Sequence, residues 1–273
     1  MPETTVHTQP QISLSRSAGS QISVAEVSKR FGAAASGTWA LHEVDFAVQA
    51  GEFVALVGES GCGKTTLLRL MAGLERPTSG QVTRAGRVVQ GPSHEVGFVF
   101  QRPVLLPWRT VLDNVLLPVE LAAQSGPAAR QRATQLLTVL GLQAFVGHRP
   151  PHLSGGMQQR VALARTLMLQ PSILLMDEPF GALDAITREQ LNLELLRMWQ
   201  AGGQTVVFVT HDITEAVFLA DRVLLMSRRP GTIAHTFVVS LPRPRTLEMR
   251  FSPQFTELCR TVHQAMGAVR HAS

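Results

Sequence analysis

The 273-residue chain is long enough for one large domain or two small ones, at roughly 150 residues per domain. Hydrophobic residues make up 45% and charged residues 16%, with a mean hydropathy of +0.11, which supplies a substantial core and excludes a natively disordered chain. The formal charge is +5 and the pI about 10.4, yet 23 of the 25 basic residues are scattered arginines and no Lys/Arg block of five or more occurs, so charge alone does not indicate a nucleic-acid binder.

The first twenty residues are rich in Ser, Thr and Gln, lack an apolar h-region, and read as a disordered leader rather than a secretory signal. No apolar run reaches the ~18–20 residues needed to cross a bilayer. The most apolar stretch, Val161 to Met176, is interrupted by Arg165, Gln170 and Pro171. Cys62 and Cys259 fit no metal-ligand spacing, and a reduced compartment is the simplest reading. These features predict a soluble, cytosolic chain that reaches a membrane only through a partner.

In chain order, Ile22 to Val27 predicts a first strand, followed by a Gly/Ala loop over Gly32 to Gly37, and Ala40 to Val48 a second. Phe53 to Val57 is a short continuous apolar run, the pattern of a strand buried on both faces. Further strands are expected at Gly97–Phe100, Ile173–Met176, Thr205–Thr210 and Arg222–Met226, with helices at Thr65–Leu74, Pro127–Leu140, Gly156–Leu169 and Thr187–Gln200. On the third of these helices Val161, Ala164 and Met168 share one face, which marks it as core-facing. Apolar strands alternating with helices indicate an α/β fold with a parallel sheet. The Pro- and Leu-rich stretch from about Arg102 to Met157 lacks strong strand candidates and reads as a helical insertion.

The turn after the buried strand is Gly58-Glu59-Ser60-Gly61-Cys62-Gly63-Lys64-Thr65-Thr66, a G-x-x-x-x-G-K-[ST] pattern between a strand and a helix. Glycines allow backbone N–H groups to close around phosphate oxygens, and the helix start adds its unpaired N–H groups and positive dipole end. Lys64 is one of only two lysines in the chain and can reach β- and γ-phosphates, while the Thr65 hydroxyl suits Mg²⁺. The alternative, a chance glycine-rich turn, is hard to reconcile with that context. Cys62 reads as a small bystander that ATP would shield from alkylation. A second half-site follows the apolar strand Ser172 to Met176, where Asp177 is placed to hold Mg²⁺ and Glu178 to act as general base on the attacking water. Taken alone, the pair could equally be two solvated loop acids.

With these residues in hand, the chain resembles the ATP-binding subunits of ATP-binding cassette (ABC) transporters. The discriminating stretch is Leu153-Ser154-Gly155-Gly156-Met157-Gln158-Gln159-Arg160, which is similar to the LSGGQ signature with Met157 in place of the usual Gln. Gln101 resembles the Q-loop glutamine, Gly181-Ala182-Leu183-Asp184 the D-loop and His211 the switch histidine. The resemblance runs from about Ile22 to Met266. It implies a P-loop NTPase with a mostly parallel sheet, an N-terminal antiparallel β subdomain and a helical insertion subdomain. The corresponding division is an ATPase domain over residues 21–245, with the helical subdomain at about 102–157, and a helical tail over 246–273.

The resemblance also implies roles. Gln101 would sense Mg²⁺ and the attacking water, His211 would hydrogen-bond the γ-phosphate, and Phe31 would stack on adenine, with Trp39 as the alternative. Ser154, Gly155 and Gly156 open a helix and form an anion site on local grounds. In the family that anion is ATP held by Lys64 of a second chain, so the chain is expected to work as a homodimer or beside a similar cassette, with Asp184 coupling the two sites. Leu106, Pro107 and Trp108, after the Q-loop, form an apolar ledge suited to a permease helix.

This Leu-Leu-Pro-Trp run, together with Arg229-Pro230-Gly231 and the tail from Leu241, is similar to the nitrate/sulfonate/taurine importer group. The expected setting is the cytoplasmic face of a bacterial inner membrane, bound to transmembrane permease subunits and served indirectly by a periplasmic solute-binding protein, with no nucleic acid. Two alternatives remain: an ABC exporter or lipoprotein-release ATPase, which shares every catalytic residue, and a DNA-repair ABC ATPase. The latter needs a long coiled coil between P-loop and signature, whereas about ninety residues without sustained heptads separate Lys64 from Ser154.

Overall fold

In the computed structural model, residues 20–32, 37–181 and 183–271 are described. The leader over residues 1–19, most of the loop after Gly32, and Ala182 of the D-loop lie outside the described residues. The strands are β1 (Ser20–Phe31), β2 (Thr38–Gln49), β3 (Phe53–Val57), β4 (Ser79–Arg84), β5 (Arg87–Val88), β6 (Val96–Val99), β7 (Ile173–Asp177), β8 (Thr205–Val209), β9 (Arg222–Met226) and β10 (Ile233–Val238). The α-helices are α1 (Lys64–Ala72), α2 (Val111–Leu121), α3 (Pro127–Val139), α4 (Gly155–Leu167), α5 (Ala185–Gly202), α6 (Ile213–Leu219) and α7 (Pro253–His271).

The strands form two sheets. One is antiparallel, in the order β2-β1-β4-β5, and the other has the order β10-β9-β3-β8-β7-β6. Within the second sheet every pairing is parallel except that of the edge strand β10 with β9. Strands β3, β7 and β8 are buried along their whole length, which is why they read as unbroken apolar runs rather than alternating ones. Alternation along β3 divides its side chains between two cores. Phe53, Ala55 and Val57 join the core built with α4, α5 and α6, while Val54 and Leu56 join the one built with α1 and the antiparallel sheet.

Residues 102–157 contain α2, α3, two 3₁₀ turns and the first residues of α4, and no strand. Val111, Val115 and Val119 of α2 and Ala133 and Leu137 of α3 pack with Val161 and Ala164 of α4. The helical insertion is thereby fastened to the helix that carries Ser154 at its start.

Several elements escape the hydrophobic pattern. β4 reads Ser-Gly-Gln-Val-Thr-Arg and is exposed along its first half, so its strand character comes from pairing with β1. β10 is a largely exposed edge strand, and α6 is only seven residues long. α2 contains an internal proline, Pro118, which masks its helical pattern.

Candidate functional site

β3 delivers the chain from a fully buried strand into the glycine-rich loop. Gly58 leaves no room for a side chain, since a Cβ there would stand 2.9 Å from the Cys62 sulfur and 3.2 Å from the Met226 backbone oxygen. Gly63 adopts φ +108°, and a Cβ on it would lie 2.9 Å from the Ala40 carbonyl oxygen and 2.6 Å from Leu41 Cδ2. Gly63 caps α1 without a side-chain acceptor, so the N–H groups of the first turn remain available to an external anion. Lys64 is 5% exposed, and its Nζ donates to the carbonyls of Gly58 and Glu59, each at 2.8 Å. The ammonium thus stands across the mouth of the loop. Ser60 and Gly61 are exposed, and Thr65 and Thr66 are half-buried at the start of α1. Cys62 is buried, and burial pushes its thiol above the ordinary range, which suits a packing residue rather than a nucleophile.

The loop has a backing that sequence reasoning gave no role. Gly231 donates to the Ala40 carbonyl and accepts from His42 N–H, both at 3.0 Å, and a Cβ on it would fall 2.0 Å from the Cys62 carbonyl oxygen. The Arg229-Pro230-Gly231 turn therefore wedges β2 against the phosphate loop. The Glu59 carboxylate receives Arg228 Nε at 2.8 Å and Arg270 Nε at 2.5 Å.

The acids follow at the C-terminal end of β7. Asp177 is buried, and its Oδ1 accepts the Thr65 hydroxyl at 3.0 Å, so two of the three residues assigned to the metal meet directly. Burial pushes the Asp177 carboxyl above the ordinary range, opposed by the Thr65 hydrogen bond and reinforced by the nearby Glu178 charge. A carboxylate beside a hydroxyl is a hard oxygen donor set, and it fits Mg²⁺.

Glu178 has a left-handed backbone, φ +44°, which turns its side chain out of the strand direction. Its Oε2 accepts Gln101 Nε2 at 3.3 Å and lies 3.3 Å from His211 Nδ1. Gln101 follows β6, Glu178 follows β7 and His211 follows β8, so three adjacent parallel strands bring the three expected catalytic side chains to one carboxylate oxygen. This is the crevice beyond the carboxyl ends of the strands, where open α/β sheets bind ligands.

Ser154, the N-cap of α4, is exposed, and its Oγ accepts the Met157 N–H at 3.3 Å. Gly155 is exposed as well, whereas Gly156 is buried, with the side chains of Thr187 and Leu183 within 3.1 and 3.4 Å of a Cβ position. Asp184 is the N-cap of α5, and the Thr187 hydrogen bond holds its carboxyl below the ordinary range.

Phe31, at the end of β1, is 44% exposed, with the Lys29 ammonium 4.9 Å from its ring centre. Trp39, half-buried on β2, is paired with Arg30, whose guanidinium lies 5.1 Å from its ring. The ledge is anchored by the fully buried Asn114, which exchanges hydrogen bonds with Leu106 at 2.8 and 3.1 Å. Trp108 is 68% exposed, Leu106 is half-buried and Pro107 exposed.

Comparison with known proteins matches residues 41–181 to the "ABC transporter" family model. The chain is 49% identical to the aliphatic sulfonates import ATP-binding protein SsuB 1 of Xanthomonas axonopodis pv. citri, over 84% of this chain and 89% of that one. It is 47% identical to the nitrate import ATP-binding protein NrtD of Synechococcus elongatus, over 77% of each chain. Among solved structures, a dimeric post-hydrolysis state of the ATP-binding cassette MJ0796 bound to ADP and Pi is similar, with a TM-score of 0.72, 34% identity and coverage of 81% of this chain and 100% of that one. The sheet order, the phosphate loop and these matches agree: the chain belongs to the ABC transporter family and has the α/β fold of its ATP-binding cassettes.

Proposed function

We propose that the chain is the ATP-hydrolysing subunit of a bacterial ABC importer for a small anionic or zwitterionic solute of the nitrate, sulfonate or taurine type. The observation that carries the ATPase reading is the meeting of Gln101, Glu178 and His211 on one carboxylate oxygen beside the Thr65–Asp177 pair. Phosphates bind at the N–H groups opening α1, and Lys64 neutralises charge on the β- and γ-phosphates. Thr65, Asp177 and Gln101 would hold Mg²⁺, which would supply neutralisation of phosphate charge. Glu178 takes the proton from water as its oxygen attacks the γ-phosphorus; the bond to the β-phosphate oxygen breaks, giving ADP and phosphate. His211 donates a hydrogen bond to the γ-phosphate, and Phe31 supplies the face for adenine. The signature residues Ser154, Gly155 and Gly156 complete the site of a second copy, with Asp184 near the junction.

The import assignment rests on relatives named for sulfonate and nitrate import. Among the described residues no helix is long and apolar enough to cross a membrane. By analogy with those relatives, the chain works at the cytoplasmic face of the membrane beside permease subunits, which a periplasmic solute-binding protein feeds. The DNA-repair alternative is disfavoured because the helices between α1 and α4 have only 11 and 13 residues, too short for a coiled-coil arm.

Glu178→Gln is expected to bind ATP with near-native affinity while turnover falls about 10²–10⁴-fold, the usual contribution of a general base. Native turnover in that variant contradicts the assignment. Trp108→Ala, at the exposed ledge, is expected to leave basal ATPase within about twofold, as a surface substitution does, and to weaken stimulation by the permease. Unchanged transport removes the ledge from the docking surface.

A further inference from the structure

His211 is not held by its own contacts alone. The residues on either side of it are both fastened to other elements. Thr210 donates its hydroxyl to Glu215 at 2.5 Å and accepts the Asp212 N–H at 3.0 Å. Asp212 caps α6 through one oxygen, which accepts Thr214 N–H at 2.8 Å and Glu215 N–H at 3.2 Å. Its other oxygen faces Arg188 of α5, with Nη1 at 3.4 Å.

The same guanidinium reaches the D-loop, where Arg188 Nη2 donates to the Leu183 carbonyl at 2.9 Å. Leu183 lies five residues after Glu178, and Glu178 in turn meets His211 at 3.3 Å. Three contacts, Leu183 with Arg188, Arg188 with Asp212 and His211 with Glu178, join two stretches of chain, Glu178 to Leu183 and His211 to Asp212, into a ring. Every link in this ring except Arg188 belongs to a loop at the ends of β7 and β8. Arg188 is the one member on a helix, half-buried in the first turn of α5. The Leu183 side chain also lies against Gly156 at the start of α4, so the signature end of α4 touches the same residue whose carbonyl Arg188 holds.

We propose that Arg188 is a positioning residue for ATP hydrolysis: by bridging Leu183 and Asp212 it fixes the separation of His211 from Glu178 and couples displacement of the D-loop to the switch histidine. A planar guanidinium presents its donors as a rigid fork and so fixes the spacing of two acceptors, whereas an ammonium on a flexible stem sets no such spacing, so lysine is a poor substitute. This inference rests on the reading of Glu178 and His211 as catalytic residues.

The test uses the full chain with Mg²⁺-ATP and compares Arg188→Met, Arg188→Lys and Asp212→Asn, alone and in a His211→Ala background. Nucleotide affinity is measured separately with a fluorescent ATP analogue. Misplacing catalytic groups by an ångström costs up to about 10²-fold, and a loss in kcat of about tenfold is expected for Arg188→Met, with analogue affinity held within about twofold. Arg188→Lys recovers little of it, and Asp212→Asn reproduces it. In the His211→Ala background Arg188→Met adds less than about twofold, because a residue acting through His211 has nothing left to position.

A native kcat in Arg188→Met overturns the proposal, and so does an equal fold-loss in both backgrounds, which marks a merely structural residue. If Arg188→Met does not fold, Asp212→Asn with and without His211 separates the same two outcomes, since it removes only the far end of the bridge. Should Glu178→Gln retain native turnover, the reading of the site fails instead, and that result is separate from any change at Arg188.

Discussion

The chain carries two helix starts that we propose receive an anion, and they are finished to different degrees. At α1 the opening N–H groups are surrounded by a buried Lys64, the Thr65–Asp177 hydrogen bond and a backing wedge from Gly231. At α4, Ser154 and Gly155 are exposed, and the Ser154 hydroxyl is used only to cap its own helix. The local physics is the same in both places, an N-terminus with unpaired donors and a positive dipole end. Of the two, only the α1 start has a buried ammonium and the carboxylates Asp177 and Glu178, our proposed metal ligand and base, gathered beside it. The difference fits the proposal that α4 presents half of a site, which a second copy of the chain would complete.

The strongest way to break this contrast is to substitute each helix start in turn. Lys64→Ala removes the charge-assisted hydrogen bonds to the phosphates, worth about 1.5–3 kcal/mol, and is expected to weaken ATP binding by the isolated chain roughly 10–100-fold, read by titration with a fluorescent analogue. Ser154→Ala is expected to leave that affinity within about twofold while costing the α4 cap about 1 kcal/mol of stability. If both variants weaken binding equally, the two helix starts serve one site in one chain, and the contrast fails.

A smaller effect probes the start of α6, beside the loop that carries His211. Burial pushes the Glu215 carboxyl above the ordinary range, against the hydrogen bond from Thr210. The folded chain therefore binds that proton more tightly than the unfolded one. Its stabilising contribution is complete below the ordinary glutamate pKa and is lost as pH rises through the raised value. Glu215→Gln is expected to flatten this decline, changing the melting temperature by about 2–4 °C between mildly acidic and alkaline buffer. An unaltered pH profile removes Glu215 from the account.

The completed side was also the more legible from sequence. Phe53–Val57 and Arg222–Met226 were bounded correctly because a doubly buried strand leaves an unbroken apolar run with polar punctuation at both ends. The residues from Gly58 to Thr66 carry their chemistry in consecutive positions, so the motif and its strand–helix context appear together. The convergence of Gln101, Glu178 and His211 was available only through resemblance, since the three are far apart in the chain and meet through the order β8-β7-β6. β4 stayed hidden because it is polar and pairs at a distance with β1. The contacts of Arg188 and Gly231 stayed hidden for a different reason: each donates to a backbone carbonyl, and one sequence carries no sign of which carbonyl a side chain or turn will meet.

The central claim is that ATP is held between the α1 start of one chain and the α4 start of another. It is tested most directly by sedimentation of the Glu178→Gln chain with saturating ATP, with and without a second substitution, Ser154→Arg. The account predicts a doubling of mass on adding ATP to Glu178→Gln, and a single-chain mass with ATP still bound once Ser154→Arg is added. A single-chain mass for Glu178→Gln at saturating ATP, or a doubling that survives Ser154→Arg, contradicts it.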